Sequence, residues 1–124
     1  MPCPFTTLIT PFFFRESGAD LVFRVELEAQ HCNGGGTAHG GFLATLADLV
    51  LGYNINQRIP KNWRIATANL SIQYLAPAQP GQWIEGKADR VKIGKRLCHA
   101  SGTLDAEGLP IIAMHATFAV ISST

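Results

Sequence analysis

From Phe42 to Ile55 the chain is apolar at nearly every position, and Phe42, Leu46, Leu49, Val50 and Tyr53 recur at steps of four, three, one and three. That spacing predicts an α-helix reaching about Asn56. With Leu43, Ala44, Ala47 and Leu51 on its other faces, it predicts a helix buried all round. On either side the period changes to two. Leu21, Phe23, Val25 and Leu27 alternate with Val22, Arg24, Glu26 and Glu28, which predicts a strand over 21–28 with a core face and a wet face. Phe12, Phe13, Phe14 and Arg15, ahead of the turn Ser17-Gly18-Ala19-Asp20, are placed to form its hairpin partner. A glycine-rich loop over 30–38 leads into the helix, and Lys61, Asn62, Trp63 and Arg64 make a polar connection after Pro60. Further strands are expected over 67–75, 83–92, 97–105 and 111–121. They are divided by turn signals at Pro77, Pro80 and Gly81, at Gly94, and at Glu107-Gly108 with Pro110. One long helix among antiparallel hairpins predicts an α+β fold in which a curved antiparallel sheet wraps around the central helix.

The polar exceptions in this pattern carry the candidate chemistry. Asp48 is the only charged residue of the helical run. An ionised carboxylate in an apolar interior is costly unless hydrogen-bonded, paired or able to keep its proton at a raised pKa. Such a group is a candidate acid, base or nucleophile. It is equally a candidate structural carboxylate tied to backbone amides or to an arginine. Gly40 and Gly41, just before the run, leave backbone N–H groups at the positive end of the helix dipole, where an oxyanion or phosphate can be held.

The length of 124 residues fits one domain spanning 1–124. A hydrophobic content of 47% against 15% charged residues is high for so small a chain, so some apolar surface is expected to be covered by another subunit. The formal net charge of +1 argues against a nucleic-acid binder that relies on a broad basic field. Three cysteines without paired spacing (Cys3, Cys32 and Cys98), and no basic leader at the start, point to a reduced, cytoplasmic setting. The helical run is too short to cross a membrane and carries Asp48 at its middle.

Asn33, Gly36, His39-Gly40-Gly41 and Asp48, followed by Tyr74-Leu75-Ala76-Pro77, resemble the hotdog-fold thioesterases of the phenylacetic-acid-degradation (PaaI) type. The likeness runs over nearly the whole chain. It implies the hotdog fold and hydrolysis of acyl-CoA thioesters by dimers, often paired into tetramers, with no metal and no cofactor beyond the CoA of the substrate. It implies that Asp48 activates water or attacks the thioester carbonyl, and that Asn33 places the water or the substrate. The Gly40 amide would polarise the carbonyl with His39 beside it, and Thr67 would help to hold the water. Gly94, Lys95 and Arg96 fall in a hairpin that looks like the family's CoA-contacting region, and Arg90 and Lys92 extend the basic cluster. Gly41 belongs to the same substrate-facing turn. The acyl group is expected in an apolar tunnel beside the helix, lined by Phe42, Leu46, Leu49 and Tyr53, residues that also serve the core.

An ionised Asp is a weak base with a pKa near roughly 3.9, so burial against Leu46, Leu49 and Leu51 is expected to raise it toward working pH. Helix geometry adds a constraint. Gly40 and Asp48 are eight residues apart, and at about 1.5 Å per residue their backbones lie roughly 12 Å apart. Nucleophile and oxyanion donor must both reach one carbonyl carbon. Asp48 of one subunit is therefore expected to work with Gly40, His39 and Asn33 of another.

Other motifs give weaker signals. His39 can equally serve to orient the glycine turn, and Asn33 can equally occupy a left-handed loop position. Gly34 and Gly36 are followed by His39 where a dinucleotide fingerprint needs glycine, and no Gly-Lys-Ser/Thr occurs. His31, Cys32, His39, Cys98 and His99 lack metal-ligand spacing. Cys32 beside His31 reads as a small apolar residue rather than a nucleophile. Two alternatives to hydrolysis stay open: an acyl-CoA-binding module without turnover, and a hotdog hydratase or dehydratase acting on a carbon–carbon bond.

Overall fold

The computed structural model describes residues 3–9 and 11–122; residues 1, 2, 10, 123 and 124, which the single-domain reading included, lie outside the described residues. Strands β1 (Phe13–Ser17) and β2 (Asp20–Glu26) form a hairpin, followed by helix α1 (Gly40–Asn56) and then β3 (Arg64–Tyr74), β4 (Trp83–Lys92), β5 (Leu97–Ala106) and β6 (Leu109–Ser122). All six strands join one antiparallel sheet in the order β1-β2-β4-β5-β6-β3. The sheet curves around α1, which packs against β2 through β6. This is the expected α+β architecture, with β3 starting three residues earlier than the alternation indicated.

Helix and sheet meet in a dry core in which Val25, Leu46, Val50, Leu51, Ile55, Ile84, Leu104 and Ile112 are at most 1% exposed. Gly86 on β4 lets the helix approach closely, because a Cβ there would lie 2.6 Å from Val50 Cγ2 and 2.9 Å from Leu104 Cδ2. Buried Asn54 locks the end of α1 to the start of β2. Its Oδ1 accepts from the Leu21 amide at 2.9 Å, and its Nδ2 donates to the Leu21 and Val50 carbonyls. Between β5 and β6, Glu107 and Gly108 both have positive φ, 49° and 89°, the two-residue hairpin geometry that matches strand twist.

The expectation of a helix buried all round is corrected. The buried positions are Phe42, Leu43, Leu46, Ala47, Val50, Leu51, Asn54 and Ile55, pairs recurring every fourth residue and hence one face. The opposite stripe, with Ala44, Thr45, Asp48, Leu49, Gly52 and Tyr53, is half-exposed. In composition the helix is apolar on every side; in packing it has one partner, the sheet.

The two ends of the sheet order differ in length. β1 spans five residues and β3 eleven. Among the described residues β3 pairs only with β6, so its other edge presents a long row of unpaired backbone groups, a template for another strand.

Candidate active site

The N-terminus of α1 is built by His39. It is the N-cap, in extended conformation, and its Nδ1 accepts the Gly41 N–H at 2.8 Å. This corrects the expectation that both glycine amides are free: Gly41 is capped by His39, while the Gly40 N–H has no partner among the described residues. The Gly40 carbonyl accepts from Tyr74 Oη at 2.8 Å, so the end of β3 braces the helix start. Residue spacing gives no sign that Tyr74 reaches across 34 positions to Gly40.

Asn33 organises its own loop. Its Oδ1 accepts from the amides of Gly35 at 2.9 Å and Thr37 at 3.2 Å, and its Nδ2 donates to Thr37 Oγ1 at 3.1 Å. The left-handed backbone considered for it is absent; in this loop Gly36 takes positive φ instead.

Asp48 is half-buried rather than sealed in an apolar interior, because it lies on the helix stripe that the sheet leaves open. Its Oδ1 accepts from Thr67 Oγ1 at 2.7 Å. A β-bulge makes that contact. Thr67 registers with Phe118 and Asn69 with Thr117, so Ala68 is an extra residue on β3. A bulge shifts the alternation by one. Thr67 before it, and Leu70 and Ile72 after it, therefore face the helix side.

The two groups sit at opposite ends of β3. Thr67 registers with Phe118, which registers with Cys98 beside the β4–β5 hairpin, whereas Tyr74 registers with Ile112 at the far end of the pairing. Because α1 is continuous from Gly40 to Asn56, the separation of roughly 12 Å between the Gly40 and Asp48 backbones stands. Lys95 and Arg96 are exposed on the hairpin, Gly94 is half-buried at its turn, and Arg90 and Lys92 are exposed on β4. None of these four cations is ion-paired among the described residues.

A pocket of about 370 Å³ opens on the half-exposed side of the helix. Leu49 and Tyr53 supply one wall; Phe12, Phe14 and Thr6 of the N-terminal segment supply another. Phe42 and Leu46, expected to line the acyl tunnel, are instead buried core residues outside this lining. The first-turn Phe42 stacks on His31 and Phe12. The N-terminal wall was missed because its residues contact the helix only through the fold. Burial pushes the Tyr53 phenol above its ordinary value, with the nearby Cys3 charge adding to the shift. Cys3 in turn is lowered, chiefly by the hydrogen bonds of Thr6.

Among the described residues no three His, Cys, Asp or Glu side chains gather where they could hold a metal, and no helix is long and apolar enough to cross a membrane.

A helix-wrapping sheet with a capped glycine turn and a hydroxyl-braced carboxylate on the helix defines a hotdog protein with the parts of an acyl-transfer site. A sequence profile of the thioesterase superfamily matches residues 35–112. The chain is 37% identical over 102 residues to PA0474, a candidate esterase of Pseudomonas aeruginosa, covering 82% of this chain and 76% of that one. It is 34% identical over 83 residues to acyl-coenzyme A thioesterase 13 of Mus musculus, covering 65% and 57%. A mutant form of the phenylacetic acid degradation protein PaaI from Thermus thermophilus superposes with a TM-score of 0.83 at 25% identity, covering 96% of this chain and all of that one. The chain belongs to the thioesterase superfamily and is a thioester hydrolase.

Proposed function

We propose that this chain hydrolyses acyl-CoA thioesters to free acid and CoA, in a site shared between two copies of the chain. The observation that carries the reading is the Asp48 carboxylate, braced by Thr67 on a half-exposed helix face beside an open strand edge. Support for acyl-CoA comes from the mouse relative's name and from the unpaired cations Arg90, Lys92, Lys95 and Arg96 near the same end of the sheet, which suit phosphate oxygens.

The chemistry divides between the two sites along α1. With Oδ1 held by Thr67, the Asp48 carboxylate takes a proton from water as the water oxygen attacks the carbonyl carbon, or attacks that carbon itself. The resulting oxyanion is held by the unpartnered Gly40 N–H. The C–S bond then breaks and CoA leaves as the thiol, after receiving the proton from Asp48. By the direct route CoA leaves as the thiolate and is protonated by water, and a second water hydrolyses the acyl–Asp48 anhydride to the free acid and Asp48. Label found in Asp48 after single turnover in heavy-oxygen water establishes direct attack, because it enters only when water adds to the Asp48 carbonyl of the anhydride.

One chain cannot bring its own Gly40 to its own Asp48. Antiparallel pairing of β3 with β3 of a second copy, centred on Ser71, keeps Leu70 opposite Ile72 on the helix side and brings the Thr67 end of one strand beside the Tyr74 end of the other. The braced carboxylate of one copy then faces the braced Gly40 turn of the other. The same pairing covers the open edge. The resemblance extends this dimer to a tetramer, and a cytoplasmic location suits the three free thiols.

The test is release of CoA thiol from a panel of acyl-CoA esters by the wild type and by Asp48→Asn, with folding and oligomeric state checked for both. Loss of turnover in a folded Asp48→Asn oligomer is expected; full activity would return Asp48 to a structural role. Ser71→Lys places like charges about the proposed two-fold axis and is expected to give an inactive monomer. A folded monomer with full activity would refute the shared site.

A further inference from the structure

His31 is 1% exposed and, with Asn54, is one of two buried polar residues among the described residues. The chemistry above does not use it. Its Nδ1 accepts from the Glu28 N–H at 3.0 Å, so the ring is neutral with its proton on Nε2, which donates to the Ile9 carbonyl at 2.8 Å. Its own carbonyl accepts from the His39 N–H at 2.8 Å. The ring stacks on Phe42 with centroids 4.2 Å apart, and Phe12 stacks on the same Phe42 at 6.5 Å.

These contacts lead to two places. Through His39 they fix the residue immediately before Gly40. Through Ile9 they hold down the N-terminal segment, which with Phe12 and Phe14 forms a wall of the pocket beside Leu49 and Tyr53. Leu49 and Tyr53 belong to the same half-exposed helix stripe as Asp48.

We propose that His31 is a positioning residue for both halves of the substrate. It sets the Gly40 amide through His39, and it sets the wall that receives the acyl group through the Ile9 carbonyl. The inference rests on the acyl-CoA reading above. The two functions are separable because the first runs through the His31 backbone carbonyl, whose turn the Nδ1 brace to the Glu28 N–H holds, and the second leaves from Nε2. In His31→Asn an acceptor stays near the Nδ1 position but nothing reaches Ile9. In His31→Gln a donor stays near the Nε2 position and the brace to Glu28 is given up.

The experiment measures kcat and KM for acetyl-CoA and hexanoyl-CoA in both variants, with melting curves. A neutral hydrogen bond corresponds to about a tenfold effect. His31→Asn is expected to raise KM for hexanoyl-CoA about tenfold, with acetyl-CoA kinetics and both kcat values within about twofold of wild type. His31→Gln is expected to lower kcat about tenfold on both esters while preserving their KM ratio. Wild-type kinetics in both variants would overturn the proposal. So would equal losses on every parameter that track the melting temperature, since they would make His31 a general stabiliser. If neither variant folds, the His31 Nε2–H proton resonance of the wild type is followed as thioether analogues bind. A shift with hexyl-CoA and none with ethyl-CoA is expected, and identical responses overturn the idea. Absence of wild-type turnover on every acyl-CoA ester would sink the acyl-CoA reading itself, whereas wild-type turnover beside unaffected His31 variants would sink this inference alone.

Discussion

Thr67→Val isolates the brace on the carboxylate. The substitution keeps the branched shape and deletes the hydroxyl that donates to Asp48 Oδ1 at 2.7 Å. A hydrogen bond to a charged group contributes about 1.5–3 kcal/mol, and every 1.36 kcal/mol of barrier is tenfold in rate. Complete loss from the transition state therefore spans roughly 12-fold to 160-fold. Thr67 is exposed in the single chain, so water can occupy part of the vacated position, and the expected fall in kcat is near the lower bound, about tenfold. The assay is steady-state release of CoA thiol at saturating acyl-CoA, alongside a circular-dichroism melt. KM is expected to stay within about twofold, and Thr67→Ser, which restores the donor, is expected to recover most of the rate. Wild-type kcat in Thr67→Val beside a dead Asp48→Asn would show that the carboxylate works unbraced. A rise confined to KM would move Thr67 from the reacting group to substrate binding.

The cap at the start of α1 predicts that His39→Ala loses about 1 kcal/mol, a drop of about 3–6 °C in Tm for a domain of this size. His39→Ser supplies a hydroxyl to the Gly41 amide and is expected to keep Tm; equal Tm for both variants would dismiss the cap. Gly102→Ala would put a Cβ 2.0 Å from the Lys87 carbonyl oxygen, and prying β4 from β5 is expected to cost about 1–3 kcal/mol in denaturant unfolding; an unchanged midpoint would refute the close approach. The chain has two tyrosines, so Tyr74→Phe leaves Tyr53 alone to titrate at 295 nm, with a midpoint expected above the ordinary 10.0 because burial disfavours the phenolate. The stability tied to that shift is intact below 10.0 and lost as pH rises through the folded value. A midpoint at or below 10.0 would show the ring to be solvated.

The strand and helix periods were legible because each reports burial against one neighbouring layer, and every strand expected from alternation is present. The site was legible in its residues and illegible in its wiring. Extending the alternation of Leu70, Ile72 and Tyr74 back along the strand puts Thr67 on the outer face with Asn69 and Ser71. Only the extra residue Ala68 turns Thr67 toward Asp48, and a bulge of this kind carries no glycine to announce it. The Tyr74–Gly40 bond and the N-terminal wall of the pocket are likewise products of topology, joining residues that no local pattern relates.

The misreading of α1 has a further meaning. Its composition suits burial on all sides, yet the folded chain covers one face only, and the uncovered stripe holds Asp48, Leu49 and Tyr53. A carboxylate there would be a weak nucleophile if it stayed open to bulk water. The same sequence leaves an eleven-residue strand edge unpaired beside it. Pairing that edge with a second copy would shield the stripe and bring in the Gly40 amide that one chain cannot deliver to its own Asp48. On this argument the excess of apolar residues over what one small domain can bury belongs to the shared site, and activity should disappear with the dimer while the fold of each chain remains.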